Sequence, residues 1–239
     1  MAKLLLPILM VAVAVIWFKV QAQMSGRGLR NRSRVLQNDQ LEMLFGKLAG
    51  AAGIDTVEVR VIDDPNINGL ATDTGEIYVT RGLVDRFRSG EITAPELASV
   101  AAHEMGHLAL GHMKRRMYEV AGRQAAVMVL ARVIPFVGVY VAGWLLNLIT
   151  ARLSRRDEFE ADAYATALMV RSGLGAEAQA SMLEKLPALI GADAMAAEAR
   201  SSGSLSNWLA SHPPVAERAA AIRDNQLRWK SHAPASASE

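Results

Sequence analysis

The sequence predicts an α+β protein, predominantly helical, with a small β-sheet ahead of a long run of helices. Three observations carry this. Alternating, strand-like runs occur only around residues 56–62 and 76–80. Beyond Gly82 the apolar residues recur almost entirely at helical spacing, and an unambiguous helix start stands at Thr93. The 239 residues suffice for one sizeable domain with its own core. Apolar residues make up 51% of the chain and mean hydropathy is positive, so membrane contact is expected. The formal net charge of +2 supplies no field that would gather nucleic acid, and no nucleic-acid partner is expected. There is no cysteine, which excludes disulfides and thiolate metal sites.

The elements follow in order. Lys3 precedes the apolar run Leu4–Phe18, which Lys19 closes. Residues 1–23 therefore read as a membrane anchor, or as a signal segment cleaved after Val20-Gln21-Ala22. Arg27, Arg30, Arg32 and Arg34 follow the run, against Lys3 alone before it. The positive-inside rule then puts a single N-terminal anchor in a bacterial-type inner membrane with the body of the protein in the cytoplasm; after signal cleavage the location would be periplasmic. Residues 24–35 read as a basic linker. Leu36–Ala52 has helical spacing through Leu41, Leu44, Phe45 and Leu48, and Gly53 stops it. Thr56–Ile62 and Glu76–Thr80 read as strands around a turn-rich stretch.

Thr93-Ala94-Pro95-Glu96 is a capping box with proline in the first turn, opening a helix that reaches about Leu110. A later helix has Ser154 and Asp157 at capping-box spacing and stops at Gly173. Between them, residues 120–150 are apolar but interrupted by Arg123 and Arg132. Too short for two full spans, they predict a helical hairpin bent near Pro135 and Gly138, dipping into the bilayer or packing on the domain. Basic residues at both ends suit an anionic lipid surface. The tail from residue 230 reads as disordered, which leaves 36–229 as the functional domain.

The first of these helices carries His103-Glu104-Met105-Gly106-His107. Residues four apart share a helix face, so His103 and His107 can offer two nitrogens to one metal ion. Glu104 sits one position round, where it can take a proton from the attacking water without ligating the metal. A catalytic zinc needs a third protein ligand. His112 is rotated off the ligand face, and Leu110 and Met113 break the spacing of a local third histidine. Glu158 and Asp162 share a face of the later helix, so one carboxylate can bind the metal while the other accepts the free N–H of a ligating histidine. Read without the histidines, that run is merely a charged amphipathic helix.

The motif set HEMGH and SRRDEFEADAYA resembles the HtpX-like membrane zinc metallopeptidases, relatives of the type I CAAX prenyl endopeptidases. Asn68-Gly69-Leu70-Ala71 with Glu76–Gly82, and Ser211-His212-Pro213-Pro214 with Arg218, agree in the same order. The resemblance implies a zincin-like core and one zinc ion per chain, with His103, His107 and Glu158 as ligands and Asp162 behind them. It also implies Asn68–Ala71 as a substrate-side edge strand, and His212 and Arg218 near the oxyanion of the scissile carbonyl. Polypeptide substrates, unfolded or membrane-associated, are the expectation. Processing of one specific partner, or a non-catalytic zinc-stabilised scaffold or chaperone-like binder, are the alternatives.

Overall fold

The computed structural model describes residues 27–72, 74–112, 114, 115, 118, 138–198 and 215–232. The apolar segment 1–23, residues 120–137 of the expected hairpin with Pro135, His212 and residues 233–239 lie outside them.

Four short strands form one mixed sheet in the order β1-β2-β4-β3. β1 (Ser33–Val35) pairs antiparallel with β2 (Val59–Ile62), β2 runs parallel to β4 (Ile77–Thr80), and β3 (Gly69–Ala71) pairs antiparallel with β4. β1 departs from the sequence reading, since it lies inside the stretch expected to be a basic linker. β3 lies where residue pattern alone reads as turn-rich and where the motif resemblance implies an edge strand at Asn68–Ala71. Register places Gly69 opposite Val79 and Ala71 opposite Ile77, so β3 is an edge strand.

Helix α1 (Asp39–Ala52) starts where the Asn38 side chain accepts from the Leu41 amide, three residues later than Leu36, and ends on Gly53 at φ 71°. Its buried stripe of Leu41, Leu44, Phe45 and Leu48 is the one the spacing predicts. After the short α2 (Arg81–Arg88), helix α3 (Ala94–Ala109) opens on the expected capping box. Helix α4 (Gly138–Arg171) is continuous through Ser154, so the expected start there is corrected: a helix already running leaves no free amides to cap. Helix α5 (Glu177–Glu198) and α6 (Val215–His232) follow, and α6 takes in residues 230–232 of the expected disordered tail.

Two compact units divide the chain, one holding residues to Asn31 with Gly111–Asp157, the other Arg32–Leu110 with Glu158 onward. In the first, buried His112 faces Asp157 at 4.0 Å and Arg115 pairs with the same carboxylate at 3.0 Å. In the second, α1, α3 and the sheet share a core with α5, α6 and the later part of α4, through Leu48, Val79, Leu97, Met169, Leu183 and Ile222. Among the described residues no helix is both long and apolar enough to cross a membrane.

The start of α3 is unusually well fixed. Glu96 accepts from the Thr93 amide at 2.7 Å, from Ser181 Oγ at 2.6 Å and from Lys185 Nζ at 2.8 Å, so α5 grips the first turn of α3. Burial works to raise the Glu96 carboxyl, but Lys185, Ser181 and the capped amide outweigh it and hold the pKa below its ordinary 4.5. A depressed carboxylate stabilises the fold above the unfolded-state pKa, and that contribution is lost as pH falls through the folded-state value. Glu96→Gln is therefore expected to cost about 2 kcal/mol at pH 7. The gap from wild type should narrow in urea titrations taken well below pH 4.5.

Candidate metal centre

The phase of α3 is set by its cap, and nine residues into the helix that phase turns His103 inward, with His107 one turn on. Their Nε2 atoms stand 3.0 Å apart, with the rings nearly perpendicular at 85°. From α4, Glu158 brings Oε2 to 3.4 Å from His103 Nε2 and Oε1 to 3.5 Å from His107 Nε2. His103 is 3% exposed and Glu158 2%.

The approach of the two helices depends on Gly106. A Cβ there would lie 2.7 Å from the Ala161 carbonyl oxygen and 2.9 Å from Ala161 Cα. Backbone touches backbone at this crossing, and Glu158 lies one turn before it.

Asp162 Oδ1 faces His103 Nδ1 at 2.9 Å. Because the Asp162 carboxylate can only accept, Nδ1 carries the proton and Nε2 turns its lone pair toward His107 and Glu158. Three lone-pair donors thus converge, an arrangement that needs a cation at its centre. Burial alone would lower the His103 pKa, but bonds to Asp162 and Glu158 overcome it and raise the value to about 9. A proton or a metal ion answers the same need. The spacing suits a metal, since atoms 2.0–2.1 Å from a tetrahedral zinc ion stand about 3.3 Å apart. The residues present therefore fit a zinc ion held by three protein ligands.

Arg218, on α6, is wholly buried behind this group. Its Nε donates to Asp162 Oδ2 at 2.6 Å, Nη2 to Asp162 Oδ1 at 2.9 Å, and Nη1 lies 3.0 Å from Glu158 Oε2. The resemblance implies an oxyanion contact for Arg218; in the structure these three nitrogens go to the two carboxylates. Burial works to raise the Asp162 carboxyl, but bonds from Arg218 and His103 hold it below its ordinary value. Sequence spacing gave no sign of this clamp, because Arg218 is 56 residues from Asp162.

Glu104 is 2% exposed and follows His103 directly on α3. Edge strand β3 passes next to it. A methyl at Gly69 would meet Val100 Cγ1 at 2.8 Å and lie 3.5 Å from Glu104 Oε1, so only glycine lets the strand come so near. Asn68 and Gly69 share a cavity lining with Val100, His103, Asp162 and Arg218. Of the residues singled out in the sequence, His103, Glu104, His107, Glu158, Asp162, Arg218, Asn68 and Gly69 are brought together. His212 is outside the described residues.

Residues 35–226 match the model of peptidase family M48. The metalloprotease LoiP of Escherichia coli is 33% identical over 172 residues, covering 70% of this chain and 62% of LoiP, so the alignment spans less than two thirds of that relative. A protease HtpX homologue of Dictyoglomus thermophilum is 31% identical over 215 residues, covering 77% of this chain and 68% of its own length. Protease HtpX of Cellvibrio japonicus is 30% identical, with 75% and 69% covered. The chain belongs to peptidase family M48 and is a metalloprotease by that membership.

Proposed function

We infer that the chain is a zinc-dependent endopeptidase acting on unfolded or membrane-associated polypeptides, with residues 36–229 as its catalytic domain. The observation that carries the reading is the convergence of His103 Nε2, His107 Nε2 and the Glu158 carboxylate beside the buried Glu104. A zinc ion held there would supply Lewis acidity, polarising the scissile carbonyl and making the attacking water more acidic. Glu104 accepts the proton of that water at a carboxylate oxygen and returns it to the departing amide nitrogen. Asp162 holds the His103 tautomer, and Arg218 keeps Asp162 and Glu158 in place while offsetting their charge.

The unpaired side of β3 offers main-chain groups to an extended substrate, with Gly69 bringing that backbone close to Glu104. Recognition through backbone groups tolerates mixed sequences, which supports unfolded chains as the substrate class. His212 is assigned to the oxyanion on the motif resemblance alone. The apolar segment and its arginine-rich flank support an inner-membrane anchor with the domain on the cytoplasmic side.

Chelation tests the reading. Treatment of the purified protein with 1,10-phenanthroline is expected to abolish hydrolysis of unfolded casein, and stoichiometric zinc to restore it. Hydrolysis that survives complete metal removal would exclude a metal-dependent mechanism.

A further inference from the structure

Behind the site lies a polar group for which the mechanism has no use. Gln179, in the first turn of α5, is 3% exposed. Its Nε2 lies 3.2 Å from the Asp162 carbonyl oxygen and 3.4 Å from Asp162 Oδ1, while its Oε1 accepts from Thr166 Oγ1 at 3.0 Å. The amide can point only one way. The Asp162 oxygens are acceptors, so the NH2 must face them, which leaves Oε1 toward Thr166 Oγ1, whose single proton is shared with the Asp162 carbonyl at 2.8 Å.

We propose that Gln179 is a positioning residue of the metal centre, acting through Asp162 on the orientation of His103. This rests on the reading of His103, His107 and Glu158 as metal ligands. The physical reason lies in α5 as a whole. Two residues beyond Gln179, Ser181 bonds Glu96 at the start of α3, and Lys185 does the same one turn later. Gln179 meanwhile holds α4 at Asp162. One helix thus ties the helix that carries the histidines to the helix that carries Glu158. The tie at Asp162 is neutral, which matters. A carboxylate at position 179 would repel Asp162, and an ammonium would compete with Arg218 for it. An amide adds a donor and leaves the charge balance of the clamp alone.

The test is zinc affinity, measured by competition with a chromophoric chelator on the full chain, in wild type, Gln179→Met, Asp162→Asn and the double variant. Methionine keeps the length and volume and removes the donor. Gln179→Met is expected to weaken zinc binding about 10-fold, the usual scale for a group behind a metal ligand. In the Asp162→Asn background the same change should cost nothing further. If Gln179→Met folds poorly, Thr166→Val, which frees the amide, is expected to weaken zinc in the same direction by a smaller factor. Unchanged affinity in Gln179→Met, or an equal loss in both backgrounds, overturns the proposal, as would a lower melting temperature of the metal-free protein with affinity intact. Wild type that binds no zinc would instead overturn the ligand assignment beneath it.

Discussion

Glu104→Gln is expected to lower the rate of casein hydrolysis by about 10³, or ~4 kcal/mol of transition-state stabilisation, with zinc content and folding unchanged. Glutamine has nearly the shape of glutamate, so the packing around this buried position survives. What disappears is a group that can accept a proton and give it back. Glu104 is not one of the three proposed ligands, so the zinc-binding curve of the variant should overlay that of wild type. Comparable loss of zinc would show that Glu104 helps hold the ion, and an undiminished rate would remove it from the chemistry altogether.

Gly106→Ala is the second large effect, and its sign runs against local propensity. Alanine in place of a mid-helix glycine ordinarily gains up to about 1 kcal/mol. Here the new methyl would stand 2.7 Å from the Ala161 carbonyl oxygen, against backbone that cannot rotate away. The crossing must open, and Glu158 moves with it, away from both histidines. Displacement of a ligand by even about 1 Å is worth roughly 100-fold in rate. The expected outcome is a protein with helical content near that of wild type, poor zinc retention and at least that loss of activity. Circular dichroism, metal analysis and the casein assay read the three together. Full zinc occupancy and activity in the variant would mean that the crossing tolerates separation.

Both variants show which parts of the site were legible in the sequence. His103, Glu104 and His107 announce themselves because one helix turn brings them together, and the Thr93 capping box fixes that helix in advance. Glu158 and Asp162 needed a second inference, since their spacing alone fits any charged helix. Gly106 carried a readable signal, because an interior glycine costs helix stability unless something comes close. The Asp162–Arg218 clamp and the Gln179 tie had no such signal: they join residues 56 and 17 positions apart and depend on packing, not spacing.

The fold shows the same division. The alternation in Thr56–Ile62 and Glu76–Thr80 located β2 and β4, although the observed strands are shorter, at Val59–Ile62 and Ile77–Thr80. The three-residue strands β1 and β3 are too short for any period to show. β1 exists because Arg34 and its neighbours pair with β2, a non-local contact that overrides the linker-like composition. Ser154 and Asp157 misled in the opposite direction, offering a local start signal inside a helix that had begun at Gly138.

His103, His107 and Glu158 are expected to hold one zinc ion, which elemental analysis of the purified protein reads out. About one zinc per chain is expected in wild type and near none in His103→Ala. Zinc absent from wild type, or equally present in His103→Ala, would contradict it.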